Sequence, residues 1–281
     1  MATGTLYAGF VGFYHEPLAD RQAVRRMAEL ILDDRWPWPM RWARFAQRVK
    51  PLWSTDRLGG KRGIDPLVDS MLNPRRTTMR AYFSPKDAVN TASIRVNLAG
   101  DEFSPAWDDS FQVRGAVRVH DLPPGKQIDA WLGLTNDMLG LLKVDHAIIT
   151  VFRTYWQVWG DVSLSRIVID NRGQPEIDLG PTGEFNDQND DLIGHRSRTG
   201  RTYVRHPRWG NYWLPEHVEK VGGIERIREA VQPAKIEQVG HLIYIQLLPT
   251  MEDALTPAYA EKRHALQAIM GSICVPPREK K

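Results

Sequence analysis

A single cysteine, Cys274, is all the thiol that this 281-residue chain carries. That excludes an internal disulfide framework and a thiolate metal cluster, and it fits a reducing compartment. Long apolar runs are missing as well, since no stretch approaches the ~18 residues a membrane helix needs. The first apolar run, Thr5 to Tyr14, breaks at His15-Glu16 with no basic region ahead of it, so no signal peptide is expected. The grammar of common catalytic sites is absent too: there is no GxxxxGKS or GxxxxGKT loop, no HExxH, no GxSxG and no CxxC. Strong charge of one sign is also lacking. A formal charge of +3 and a pI of about 9.0 do not demand a nucleic-acid partner. With 42% apolar and 25% charged residues, the chain reads as an ordinary folded protein, expected in the cytoplasm.

Glycine and proline together make 41 residues, so loops are extensive. Between them the periodicity is clear. Thr5 to Tyr14 reads as a strand central in a sheet, because it barely alternates. Asp20 to Leu32 puts Ala23, Met27, Leu30 and Ile31 on one helical face. From Arg41 to Arg80 ten Lys/Arg face three Asp, an excess of +7, and Gly59-Gly60 and Asn73-Pro74 mark turns; the stretch reads as an excursion from the core with a short helix near Asp65 to Leu72. Strand patterns return at Met79 to Phe83, Ala92 to Leu98 and Phe111 to Val119, followed by a helix from Gln127 to Leu142 and a strand at Ala147 to Phe152. Asp161 to Asp170 reads as a further strand. The expected fold is α+β, antiparallel sheets with helices packed on one face. It is organised either as one domain over 1–281 or as two fused strand–helix–strand halves, 1–155 and 156–272, with a frayed tail at 273–281.

The long aperiodic stretch from Asn171 to Arg208 invites a functional reading. Its first part, to Asp191, carries Glu176, Asp178, Glu184, Asp187, Asp190 and Asp191 against Arg172, a net of −5. These carboxylates do not follow the spacing of a calcium loop, and suit an interface with a basic partner better. The second part holds His195 and His206, eleven apart with no third ligand placed by local spacing, so no metal site is expected. An enzyme of unknown class, with a site built from these histidines and carboxylates in 171–208, is the alternative; a third reading is a structural or adaptor protein of a secretion apparatus. Trp36, Trp38, Trp42 and Trp53 interleave with arginines, where a nucleic-acid argument would begin, but neither the aromatic RNP patterns nor a GxxG clamp is present. Direct nucleic-acid binding is therefore not expected. Trp and Arg dominate protein interfaces, so Trp38, Trp42 and Arg44 join the six acidic residues as the candidate contact set.

The most legible segment is Trp209 to Pro249. An aromatic strand ending in Trp213 meets Pro215, which opens a short helix; Gly222-Gly223 break it; a second short helix carries Ile224, Ile227 and Val231 to Pro233; and His241 to Leu248 forms an apolar strand. Thr256 and Pro257 then start a final helix running to Met270, with Gly271 as its stop. The run GNYWLPEHVEKVGGIERIREAV, followed by VGHLIYIQLLP, resembles the closing part of the bacterial type VI immunity family. In that family an aromatic strand leads to a helix with the pattern seen here around Val221, Gly222, Gly223, Ile224 and Ile227, and a strand ends in a run like Ile245, Gln246, Leu247. The resemblance implies a cognate immunity protein that binds and neutralises a toxin of a type VI secretion system by occluding its active site. It implies no catalysis and no cofactor, and it leaves the toxin's own activity open, a nuclease with a basic cleft being one candidate. Trp213, Val221, Gly222, Gly223, Ile224, Ile227, Ile245 and Leu247 would be scaffold rather than contact residues.

Overall fold

The structure, a computed structural model, describes residues 6–16, 18–36, 40–47, 53–57, 63–82, 92–98, 111–119, 127–153, 158 and 203–274. Ten strands among them are β1 (Tyr7–Tyr14), β2 (Trp42–Gln47), β3 (Trp53–Arg57), β4 (Arg76–Tyr82), β5 (Ala92–Asn97), β6 (Phe111–Arg118), β7 (His146–Phe152), β8 (Gly210–Trp213), β9 (Lys235–Val239) and β10 (Leu242–Gln246). They form one sheet in the order β3-β2-β4-β5-β6-β1-β7-β8-β10-β9, and every pairing is antiparallel. The expected α+β class with antiparallel sheet is what the chain adopts. β1 lies inside the sheet between β6 and β7, as its unbroken apolar character requires.

Three helices pack on the first face of the sheet: α1 (Arg21–Ile31), α2 (Asp65–Met71) and α3 (Gln127–Leu141). The Asp20 carboxylate caps α1 by accepting from the Ala23 N–H at 2.7 Å, and Val24, Met27, Ala28, Leu30 and Ile31 turn inward. Facing them are Phe10, Phe45, Met79, Ile94, Val96, Val113, Ala147 and Ile149, one from each alternate position of the strands. Phe10 meets Trp131 of α3 edge to face, with centroids 6.0 Å apart. Gly12 sits where α3 comes closest. A Cβ there would lie 2.6 Å from Leu139 Cδ2.

Helices α4 (Pro215–Lys220), α5 (Gly223–Val231) and α6 (Pro257–Met270) cover the opposite, second face over β8 and β10. The switch follows from strand alternation: Tyr212 and Tyr244 join the first core, whereas Trp213 and Ile245 join the second. The second core gathers Trp213, Val218, Val221, Ile227, Val231, Ile245, Leu247, Leu266, Met270 and Ile273. Burying each large aliphatic side chain contributes about 1.5–3 kcal/mol. Gly222, with φ +99, makes the corner between α4 and α5. α6 begins at Pro257 after Thr256 and stops at Gly271, as the sequence indicates.

One expectation needs correction. Arg41 to Arg80 is not an excursion: it supplies β2, β3 and β4, with the expected helix as α2 between the last two. Ala43 and Phe45 point into the first core while Trp42 and Arg44 point away, so the +7 excess hides a period of two. β9 is an element the apolar pattern alone does not reveal. Its KIEQV sequence is largely wet, and it pairs with β10 through a tight turn at Gly240, with φ +59, and His241.

Candidate protein-interaction face

The two ends of the second face differ in chemistry. Over β8 and β10 it is apolar and covered by α4, α5 and α6. Over β6, β1 and β7 it carries a third cluster, Val11, Phe13, Ala116, Ile148 and Val158 with Tyr203 against it, and Gln112 and Arg114 are buried on β6. Over β2 to β5 no helix packs on it among the described residues. One cross-strand row runs the full width of the sheet on this face. From the β3 edge it reads Thr55, Arg44, Arg80, Arg95, Arg114, then Val11, Ile148, Asn211, Ile245 and Ile236. Four arginines thus stand at consecutive register positions on β2, β4, β5 and β6. Arg44, at the outer end, is exposed; Arg114, at the inner end, is buried at 6%. Trp42 lies next to Arg44 on the same face, half-buried. Of the expected contact set, Trp42 and Arg44 are therefore neighbours on one surface, while Trp38, Glu176, Asp178, Glu184, Asp187, Asp190 and Asp191 lie outside the described residues, as do His195 and the strand expected at Asp161 to Asp170. Trp36 is core, 4% exposed, with its indole N–H donating to the Leu30 carbonyl at 3.0 Å.

Where the two halves of the row meet, buried polar side chains fix the chain entering β8. His146 on β7 is fully buried and stacks on Phe13 with nearly parallel rings. Its Nδ1 lies 2.9 Å from the Tyr212 carbonyl, and the Arg205 N–H donates to its Nε2 at 3.0 Å. A carbonyl can only accept and an amide N–H can only donate, so the ring is neutral with its proton on Nδ1. Burial pulls its pKa down to about 3, and the nearby His217 and Arg205 charges add to the shift against the opposing Tyr212 hydrogen bond. Asn211 clamps the same turn: its Oδ1 accepts from the Arg208 N–H at 2.8 Å, and its Nδ2 donates to the Arg208 carbonyl at 2.7 Å. These residues are the ones the sequence does not advertise. The alternating IRV and VRG triplets put Arg95 and Arg114 at the opposite parity to the first core, but nothing local announces that Arg114 is buried or that the arginines share a row.

The constellations that resemble catalytic sites are built otherwise. His206 has both ring nitrogens near Cys274 Sγ, at 3.7 and 3.8 Å, so neither is aimed at the thiol. Burial, then the charges of Arg208, Arg205 and Arg263, hold the His206 pKa down at about 4. A pocket of about 440 Å³ at the end of β1 is lined by His15, Glu16, Lys143, Asp145 and His241. There His15 Nε2 lies 3.2 Å from Asp145 Oδ2, and His241 Nε2 is engaged with the Val144 carbonyl at 2.7 Å. Among the described residues no group of three or more His, Cys, Asp or Glu is arranged to hold a metal ion, and no helix is long and apolar enough to cross a membrane.

No family profile matches the chain, and no curated protein matches it. Among solved structures it is similar to the Pseudomonas aeruginosa T6SS protein PA0821, with a TM-score of 0.57 and 12% sequence identity, over 99% of this chain and 78% of that one. At that identity the likeness is one of fold.

Proposed function

We propose that this chain is an immunity protein that binds a cognate type VI secretion toxin and neutralises it by covering the toxin's active site. The observation that carries the reading is the division of the second face. One end is locked under α4 to α6, and at the other Arg44 is exposed and Trp42 half-buried beside it on β2. A rigid sheet backed on its first face by three helices is a suitable platform for a tight surface contact, in which a few aromatic and arginine anchors supply most of the energy. The fold it shares with a protein of a type VI secretion system, and the resemblance of its 209–249 segment to the immunity family, support the same reading. On this account the protein needs no cofactor and performs no catalysis, and it works in the cytoplasm of the toxin-producing cell. For a toxin that is a nuclease with a basic cleft, Glu176, Asp178, Glu184, Asp187, Asp190 and Asp191 are the natural insert.

The test is co-expression with the product of the adjacent gene, joined to size-exclusion chromatography with light scattering. A stable 1:1 complex and loss of toxicity are expected. Full toxin activity in the presence of excess protein, or turnover of a substrate by the protein itself, overturns the reading.

A further inference from the structure

We propose that β9 is a self-association edge, at which a second copy of this chain adds its own β9 antiparallel and continues the sheet across a twofold axis at Ile236. This edge lies at the opposite end of the strand order from Trp42 and Arg44, and the association needs no toxin.

Among the described residues β9 is the last strand in the order and pairs only with β10, in a register without a bulge. Nothing among them bonds its outer N–H and C=O groups, which a further antiparallel strand would complete. Lys235 and Gln238 are exposed, and Ile236, Glu237 and Val239 are half-buried. Edge strands are commonly guarded by lysine or proline. Here Lys235 is matched by Glu237, 2.8 Å away, so the strand carries no net charge, and Pro233 stands before it rather than in it.

Symmetry then selects the register. Two copies related by an axis perpendicular to the sheet keep each face continuous, so a residue opposes one of its own parity. A seam centred on Lys235 sets two lysines face to face, and one centred on Glu237 sets two glutamates face to face; like charges directly opposite disfavour pairing. Centred on Gln238 or Val239, the seam runs into the turn at Gly240. Centred on Ile236, it puts Lys235 opposite Glu237 of the second copy, twice over, with Ile236 opposite itself and Ala234 opposite Gln238. Of these registers it alone brings opposite charges together. Lys235 and Glu237 lie on the first face, the side of Tyr244 and Leu242, whereas Ile236 lies on the second, opposite Ile245 and at the margin of the second core. Each charge therefore keeps its neighbour on its own strand and gains one across the seam, and two half-buried isoleucines cover each other. Eight strand spacings separate β9 from β2, roughly 40 Å along the sheet, so the dimer leaves Trp42 and Arg44 accessible. A complex of two copies with two toxins keeps the one-to-one ratio.

The experiment uses the chain by itself. Sedimentation equilibrium from about 1 to about 200 µM should show the mass rising from 32.1 kDa toward twice that value. Lys235→Glu and Glu237→Lys should each weaken dimerisation about tenfold. Each variant also loses the ion pair within its own strand, so the mixture of the two is the decisive reading. Mixing restores opposite charges across the seam alone, and the heterodimer should form about tenfold more tightly than either variant with itself. Ile236→Cys, made together with Cys274→Ser, should cross-link on mild oxidation, whereas Gln238→Cys in the same background should not, because the two copies of that residue lie too far apart. Thermal unfolding checks that each variant is folded. A chain that stays monomeric at about 200 µM, a mixture no tighter than the single variants, or cross-linking through Gln238→Cys in preference to Ile236→Cys each overturns the proposal. So does a monomer whose β9 amides become protected from hydrogen exchange only when the toxin is added, because the edge would then belong to a strand of the toxin. Dimerisation is read without the toxin, so its failure leaves the neutralisation reading standing, and failure of neutralisation leaves the dimer intact.

Discussion

Acid should loosen this fold through its buried histidines, and His146 allows the effect to be isolated. In the folded protein its pKa is about 3, against about 6.5 in an unfolded chain, and that of His206 is about 4. Both are held neutral. The unfolded chain therefore binds more protons than the folded one at acid pH, and stability rises with pH across this window. The contribution is complete above about pH 6.5 and is lost as pH falls toward the folded values. Between pH 8 and pH 5 the unfolded histidine gains its proton over roughly 1.5 pH units below its pKa, which costs about 2 kcal/mol per buried histidine, or about 4 kcal/mol for the pair. His146→Gln removes one titrating group while keeping a donor for the Tyr212 carbonyl and an acceptor for the Arg205 N–H. Urea unfolding followed by tryptophan fluorescence, at both pH values for both proteins, reads the difference directly. The wild type should lose about 2 kcal/mol more than the variant on going to pH 5. Carboxylates common to both proteins cancel. Equal losses within about 0.5 kcal/mol would mean that His146 is solvated or charged in the fold, and the reasoning would fail.

Three further outcomes follow from the packing. Asn211→Ala strips the clamp from the Arg208 N–H and carbonyl in a fully buried position, and should lower stability by about 1–3 kcal/mol in urea unfolding at pH 8. Gly12→Ala drives a methyl group against Leu139, which is itself buried, and should cost about 1–3 kcal/mol, with Leu139→Ala in the same chain recovering part of the loss. Trp213→Ala opens a cavity in the second core and should cost about 3–5 kcal/mol, whereas Trp42→Ala, half-buried on the second face, should cost far less stability and, on the proposed function, weaken binding of the partner.

What the sequence discloses depends on whether a residue's role is local. The start and stop of α6 are written in Thr256-Pro257 and Gly271, and the corner between α4 and α5 in Gly222-Gly223, because capping and left-handed turns are decided within a few residues. β1 declares itself by lacking polar residues. β9 does not, because an edge strand that pairs on one side only has little to bury; Lys235 and Glu237 pair with each other at 2.8 Å across its wet positions. The basic stretch from Arg41 to Arg80 misleads for a related reason. Summed over a window, its charge looks like solvated loop, yet taken at alternate positions it is half core and half surface.

The arginine row lies beyond any local reading, because its members are separated by 36, 15 and 19 positions and meet only through the pairing order β2-β4-β5-β6. That order also separates the row from the first core by strand parity. The row shares its strands with the first core, but the two sets occupy opposite parities: Phe45, Met79, Val96 and Val113 point one way while Arg44, Arg80, Arg95 and Arg114 occupy the alternate register. A substitution at exposed Arg44 alters the charge of the face without opening a cavity beneath α1 to α3. The reverse holds at the other end, where both parities of β8 and β10 are buried, Tyr212 and Tyr244 in one core and Trp213 and Ile245 in the other, so that a change on either side disturbs the fold. β6 is likewise buried on both faces, with Val113 and Val117 in the first core and Ala116 in a third cluster with Val11 and Ile148, so of the arginines in the row only Arg44 is shown exposed.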